Sequence, residues 1–310
     1  MDAPLLSVCL ITYNHATYIR QAIEGVLMQQ INFSWELIIA DDYSTDGTRE
    51  IVFEYHEKYP ELIKIIPRSE NVGAAKNWIE LISFSRAKYI AYFEGDDYWT
   101  DPSKLQKQVD SLESNPSYGI CWTKATYHDI LTNKKYVPES FEQLLENETY
   151  YTIDLNSYYD KYATPTLTTV FKANILSLYN IKKFSYFNDS ALFLTALSQC
   201  NGALLNFNSA TYRIHTSGLW NGVNNYTKKL NIFYALDSAM AKIPQLSSFD
   251  HLVIWRKWNL TQAYYLLAES FSIKDFKQLT FLLIKILKYQ DWVEKRKALK
   301  IYLKTLYSAR

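Results

Sequence analysis

The chain has 310 residues with 33 basic and 32 acidic side chains, a formal net charge of +1, and is 48% hydrophobic and 21% charged. That balance excludes a disordered or fibrous chain, and near-neutrality excludes a general nucleic-acid binder, because nothing in the total charge would drive phosphate neutralisation. Cys9, Cys121 and Cys200 are odd in number and far apart, which excludes a disulfide framework and a cysteine zinc site and suits a reducing cytosol.

Strands and helices alternate through the first third. Leu5–Thr12 is an apolar run suited to a buried strand, and Ile19, Ala22, Ile23 and Val26 give helical spacing across Tyr18–Met28. Trp35–Ala40 reads as a second strand, followed by a polar cluster over 41–48 and a helix from Thr48 to Tyr59 that Pro60 stops. Leu62–Ile66, Val72–Ser85 and Tyr89–Phe93 read as strand, helix and strand. Asp101-Pro102 predicts a helix start, with Asp101 as N-cap, leading into Lys104–Leu112. The order βαβαβαβ with right-handed crossovers predicts an α/β, doubly wound, mostly parallel sheet.

Beyond Gly119 the pattern changes to short strands and turns. Tyr118–Tyr127 and Lys134–Val137 predict a hairpin, 141–161 reads as loop or irregular helix, Ser190–Gln199 as a helix, and Ala203–Phe207 and Ala210–Ile214 as two strands. From Lys228 onward the chain reads as helical. No signal peptide is expected from Met1-Asp2-Ala3-Pro4, and no stretch has the roughly 20 apolar residues of a spanning helix. The eight glycines stand at 25, 47, 73, 95, 119, 202, 218 and 222, so neither the dinucleotide fingerprint nor the P-loop spacing occurs.

Ligands of an open α/β sheet bind beyond the carboxyl ends of the strands. Three strands end there in polar clusters: Thr12-Tyr13-Asn14-His15, Asp41-Asp42-Tyr43-Ser44 and Glu94-Gly95-Asp96-Asp97. One such cluster is ordinary turn chemistry; three in succession are more than turns need. Adjacent carboxylates after an apolar strand make a hard-oxygen site for Mg²⁺ or Mn²⁺, completed by substrate phosphates. The residues therefore suggest a metal-assisted nucleotide-diphosphate site without a P-loop.

Residues 5–123 carry LLSVCLITYNHATYIRQAIEGVLMQ, WELIIADDYSTDGTREIV and ENVGAAKNWIELISFSRAKYIAYFEGDDYWTDPSKLQKQVDSLE. This stretch resembles the inverting family 2 glycosyltransferases of the GT-A fold, of the bacterial surface-polysaccharide type, and the likeness continues more weakly to about residue 218. The resemblance implies that Thr12, Tyr13 and Asn14 line the nucleotide pocket and that Asp42 accepts from the uracil N3–H. Lys76 stands where the family often has Arg, which keeps the charge and loses the planar fork. Asp96 is implied at the ribose and Asp97 at a Mn²⁺ or Mg²⁺ ion that bridges the diphosphate.

An inverting transferase needs one carboxylate to take the acceptor proton. The resemblance places it at Asp189, opening the helix ALFLTAL, where a capping role alone would also suit Asp; Asp160 and Asp154 are the substitutes. Tyr212-Arg213-Ile214-His215 resembles the segment that follows the base, so Arg213 is expected at the leaving diphosphate and His215 in the metal shell. The expected organisation is a catalytic domain over 1–222, with a nucleotide-sugar half of about 1–118 and an acceptor half of about 119–222, and a helical basic region over 223–310. Lys274–Arg310 carries ten basic and three acidic residues. Its apolar residues at helical spacing suit packing on the body, and its lysines suit an anionic membrane surface.

The implied activity is transfer of a sugar from a UDP-sugar to a glycan or lipid-linked saccharide, in the cytoplasm or on the cytoplasmic face of the inner membrane. Nucleic acid is not an expected partner. Two rivals stand beside it. A nucleotidyltransferase would also use an acidic metal pair, but TYNHATYIR lacks its Gly-rich basic loop. A non-catalytic nucleotide-sugar-binding or scaffold protein would not need Asp189.

Overall fold

The central strand β1, Leu6–Thr12, is buried along its whole length. It pairs in parallel with β2 (Trp35–Asp41) on one side, in register Leu6↔Trp35 to Thr12↔Asp41, and with β4 (Tyr89–Glu94) on the other. β3 (Ile63–Ile65) adds to β2, again in parallel. The helices α1 (Ile19–Leu27), α2 (Thr48–Lys58) and α3 (Ala74–Phe84) are the crossovers between these strands. Strand alternation sets their sides: Ala91 and Phe93 of β4 share a core with Ile19, Ala22 and Val26 of α1, while Tyr92 between them meets Trp78 of α3 edge-on at 5.7 Å. This is the expected α/β layering, with helices on both faces.

In the computed structural model, residues 3–142, 144, 147–155, 157–158, 165–175, 189–216, 218, 227, 296 and 299–300 are described. The chain divides into two compact units, Met1–Gly218 and Leu219–Arg310. The helices expected after Lys228 lie almost wholly outside the described residues, and the alternative base Asp160 does too.

The second half of the sheet departs from the parallel pattern. β5 (Tyr98–Trp99) precedes α4 (Lys104–Ser114), and β6 (Tyr118–Asp129) turns back into β7 (Lys134–Tyr136), which is the expected hairpin. After the short helix α5 (Glu139–Glu142) come β8 (Tyr150–Ile153), β9 (Val170–Lys172), α6 (Asp189–Leu197) and β10 (Asn201–Ile214). The strand order in the ten-stranded sheet is β3-β2-β1-β4-β9-β6-β10-β5, with β7 on β6 and β8 on β10. β9 runs antiparallel to both its neighbours, so three residues join the parallel block β3-β2-β1-β4 to the parallel pair β6-β10.

Four expectations are corrected. Ala203–Phe207 and Ala210–Ile214 are one strand, β10, whose polar interruption at Asn208 is a bulge in its pairing with β6. Part of the loop or irregular helix expected over 141–161 is the strand β8, antiparallel to β10. Asp101 is not the N-cap of α4; it folds the preceding turn by accepting from the Ser103 N–H at 2.7 Å, and the helix begins at Lys104. α6 opens at Asp189, one residue before the expected start.

Candidate active site

The tips of β1, β2 and β4 are bonded into one edge. The Asp42 N–H donates to the Thr12 carbonyl at 2.9 Å and the Gly95 N–H to the Ile11 carbonyl at 2.8 Å. The approach is close enough that a side chain at Gly95 would sit 2.8 Å from Thr12 Oγ1 and 2.9 Å from Ile19 Cδ1. Asn14 takes a left-handed φ of 55°, receives the Thr45 N–H on its Oδ1 at 2.9 Å, and donates its own N–H to Ser44 Oγ at 2.8 Å. Asp46 accepts from the N–H groups of Ala16 and Thr48, so it holds the β1 loop against the start of α2. Thr12 is buried, with its Oγ1 3.2 Å from His15 Nδ1, whereas Tyr13 and Tyr43 present exposed rings.

Asp42 is buried and accepts two N–H bonds, from Val72 at 2.8 Å and from Gly73 at 2.9 Å. A carboxylate offers about four acceptor sites, so it can still receive a base N–H. The same bonds fix the segment leading into α3. Lys76 lies in the first turn of that helix, largely exposed, with Nζ 3.9 Å from Glu80.

At the β4 tip the carboxylates differ sharply. Asp97 is buried, and its Oδ1 accepts the Arg213 N–H at 2.8 Å. Burial, with Asp96 next to it, holds its carboxyl well above the usual range. Glu94 is raised in the same direction by burial and by the neighbouring Asp189, Asp97 and Asp96. Asp96 goes the other way. Burial pushes it up, but the hydrogen bond with His215 and the adjacent His15 outweigh this and hold it low. His215 Nε2 lies 3.1 Å from Asp96 Oδ2, and His15 Nε2 lies 3.7 Å from the same oxygen.

Arg213 is packed rather than free to roam. Its guanidinium lies 4.3 Å from the Tyr98 ring centroid and 5.0 Å from that of Tyr18. Nη1 donates to the Asp96 carbonyl at 2.5 Å and Nη2 to Gln21 Oε1. Asp189, at the start of α6, accepts from the Thr166 hydroxyl, and burial raises its carboxyl against that bond.

The structure thus draws Thr12, Asp96, Asp97, Arg213 and His215 to one edge, with Asp189 near enough to act on Glu94. Asp42 holds the loop that leads to Lys76. Sequence reasoning assigned no role to Tyr18, Gln21, Tyr98 or Thr166. Each enters through a contact with a residue far along the chain, and only Tyr98, inside the acidic motif, had any local signal.

The family model described as Glycosyl transferase family 2 matches residues 7–180. The chain belongs to glycosyl transferase family 2. A putative teichuronic acid biosynthesis glycosyltransferase, TuaG of Bacillus subtilis, is 40% identical over 109 residues, 35% of this chain and 42% of that protein. A UDP-Glc:alpha-D-GlcNAc-diphosphoundecaprenol beta-1,3-glucosyltransferase, WfgD of Escherichia coli, is 29% identical over 150 residues, 47% of this chain and 57% of that protein. The chain thus spans about half the length of these family 2 relatives. The crystal structure of S. aureus TarS 1–349 in complex with UDP-GlcNAc matches at a TM-score of 0.71 with 16% identity, over 98% of this chain and 91% of that one. The mannosyltransferase PcManGT of Pyrobaculum calidifontis, in complex with GDP-Man and Mn²⁺, matches at 0.58 with 15% identity, over 100% and 89%. These likenesses bear out the expected GT-A type of α/β fold.

Among the described residues no three His, Cys, Asp or Glu side chains converge as a ready ligand set for a metal. The donor chemistry nevertheless suits a hard divalent cation. Asp97 uses one oxygen for the Arg213 N–H and has acceptor capacity left, in a crowd of carboxylates whose mutual repulsion a cation relieves. Holding such an ion by one or two carboxylates and substrate phosphates needs no protein cage.

Proposed function

We propose that the chain is an inverting glycosyltransferase that moves one sugar from a UDP-sugar to a hydroxyl of a glycan or lipid-linked saccharide in surface-polysaccharide assembly. The observation that carries this reading is the meeting of the acidic tip Glu94-Gly95-Asp96-Asp97 with Asp189, a buried carboxylate that the Thr166 hydroxyl holds and that acts on Glu94. The nucleotide-sugars bound by TarS and PcManGT, and the lipid-linked acceptor in the name of WfgD, support the substrate classes.

In this reading Thr12, Tyr13 and Asn14 line the nucleotide pocket, Asp42 accepts from the base, and Asp96 accepts from the ribose hydroxyls. His215 and His15 keep Asp96 ionised. Lys76 approaches the nucleotide from the first turn of α3. Asp97 would hold Mn²⁺ or Mg²⁺, with His215 as a further ligand. The ion supplies neutralisation of the charge on the departing diphosphate. Arg213, immobilised between Tyr18 and Tyr98, presents a fixed positive charge to the same group. Asp189 takes the proton of the acceptor hydroxyl as its oxygen bonds to the anomeric carbon. The bond from that carbon to the diphosphate oxygen breaks with its electron pair on the diphosphate, which inverts the centre.

The basic stretch Lys274–Arg310 is assigned to peripheral contact with anionic lipid, on the cytoplasmic face where such acceptors are extended. Among the described residues no helix is long and apolar enough to cross a membrane. The deciding experiment incubates purified protein with a panel of UDP- and GDP-sugars, with and without Mn²⁺. It reads nucleoside-diphosphate release and the anomeric configuration of the product by NMR. Retained configuration, or pyrophosphate in place of a nucleoside diphosphate, would refute the reading.

A further inference from the structure

Three side chains with polar groups are buried just downstream of the acidic motif. Trp99, Lys104 and Gln108 are all 2% exposed or less. Two of them donate to one short turn. Trp99 Nε1 donates to the Leu167 carbonyl at 2.8 Å, and Gln108 Nε2 donates to the Thr168 carbonyl at 2.8 Å and to that of Cys121 at 3.0 Å. Lys104 Nζ lies 4.2 Å from the Trp99 ring centroid and donates to Gln108 Oε1 at 2.7 Å, which fixes both donors.

The braced segment is a single 3₁₀ turn, Thr166–Thr168, entered from Pro165 and leading into β9. It closes on itself through the Thr168 hydroxyl to the Pro165 carbonyl at 2.9 Å and the Thr169 N–H to the Thr166 carbonyl at 2.9 Å. The side chain it holds out is Thr166, itself buried, whose hydroxyl donates its proton to Asp189 Oδ2. A bonded path therefore runs from the chain two residues after Asp97, through Trp99 and the turn, to the carboxylate at the head of α6.

From this geometry we infer that Thr166 is a positioning residue for Asp189: it occupies one carboxylate oxygen, fixes the plane of the group, and leaves the other oxygen for the acceptor hydroxyl. Trp99 and Gln108 set the height of the turn that carries it. The inference rests on Asp189 being the base. Its physical consequence is twofold. A donated hydrogen bond favours the ionised carboxylate, opposing burial, and a fixed carboxylate plane spares the reorganisation that a loose one would need.

The test compares Thr166→Val, which keeps shape and removes the hydroxyl, with Thr166→Ser, which returns it. Both are made in the parent and in an Asp189→Asn background, and measured in the nucleotide-release assay with a saturating acceptor. Thr166→Val should lower kcat about 10- to 100-fold with the donor KM unchanged, and move the acidic limb of the kcat–pH profile to higher pH. Thr166→Ser should recover the rate to within a few-fold. In the Asp189→Asn background the valine should cost little more, because the two residues act as a unit. Thr166→Ala, read alongside, separates packing from bonding, since the smaller side chain must show the same kcat loss and pH movement. Parent-like kcat and pH profile in Thr166→Val would overturn the inference, as would an equal loss with and without Asp189. Near-normal turnover of Asp189→Asn alone would instead overturn the assignment of the base.

Discussion

The backbone N–H of Arg213 donates to Asp97 Oδ1 at 2.8 Å, joining residues 116 apart in the chain. The acidic tip of β4 therefore anchors the end of β10, and with it Arg213 and His215. An amide at position 97 can still accept this bond, whereas a methyl group cannot. Asp97→Asn should keep the thermal midpoint within a few degrees while abolishing the Mn²⁺-dependent gain in UDP affinity. Asp97→Ala should lose the same gain and in addition about 1–3 kcal/mol of stability, the cost of a buried unpaired N–H. Calorimetric titration with UDP, beside urea unfolding, checks both. Unchanged Mn²⁺ dependence in Asp97→Asn would remove this residue from the metal assignment.

The second expectation concerns Asp189. Asp189→Asn should leave UDP affinity intact and lower transfer by about 10²–10⁴-fold, the usual contribution of a general base. In the parent, burial raises this carboxyl, so the ionised form needed for proton abstraction is lost as pH falls through a value above the ordinary carboxylate range. The acidic limb of the kcat–pH profile should lie there. A rate that stays flat down to pH 4 would count against a raised base.

Lys104 offers a stability experiment. It is fully buried with no ion pair among the described residues, and desolvation lowers its pKa to about 7. The unfolded chain holds that proton to a pH near 10.5, so between the two values the unfolded state binds more protons and folding gains with rising pH. Below pH 7 both states are protonated and the term is constant. Lys104→Met keeps the length of the stem and removes the titration. Its unfolding free energy, relative to the parent, should lose a slope of up to about 1.4 kcal/mol per pH unit between pH 7 and 10. Parallel pH profiles of parent and variant in urea titrations would contradict this.

For the basic stretch, Arg296, Leu299 and Lys300 are exposed. Replacing Lys295, Arg296, Lys297 and Lys300 by Gln should weaken cosedimentation with anionic vesicles. Binding by the parent should fall as salt rises, since screening shortens to about 8 Å at physiological ionic strength. Parent-like binding by the quadruple variant would leave the stretch a structural element only.

What could be read in advance follows the range of the interactions. β1, β2 and β4 are six or seven residues long and buried along nearly all their length, so Leu6–Thr12 and its neighbours announce themselves as apolar runs. The acidic tip was legible for the same reason, as a strand end with its own turn chemistry. β5, β8 and β9 are two, four and three residues long, and each exists because a distant strand offers an edge. Nothing local in Tyr98-Trp99 or Val170–Lys172 records that. A polar residue such as Asn208 looks alike in a bulge and between two strands, so the sequence predicts two strands where β10 is one. At the site, Asp96 and Asp97 were visible as residue types, yet their opposite acidities depend on His15 and His215, 81 and 119 residues away from Asp96, which no spacing rule connects.

The antiparallel insertion of β9 also sets an order of events during synthesis. The edge of β4 that β9 covers carries Tyr89, Ile90 and Ala91, and its partner Val170 follows Glu94 by about 75 residues. A ribosome adding 5–20 residues per second leaves that edge without its neighbour for roughly 4 to 15 s. An apolar strand with unpaired N–H and C=O groups is a template for pairing with another chain. The nascent N-terminal block is thus exposed to misassembly until β9 arrives, and a fragment ending near residue 130 should pair with other chains through β4, an edge that β9 covers in a fragment ending after Lys172.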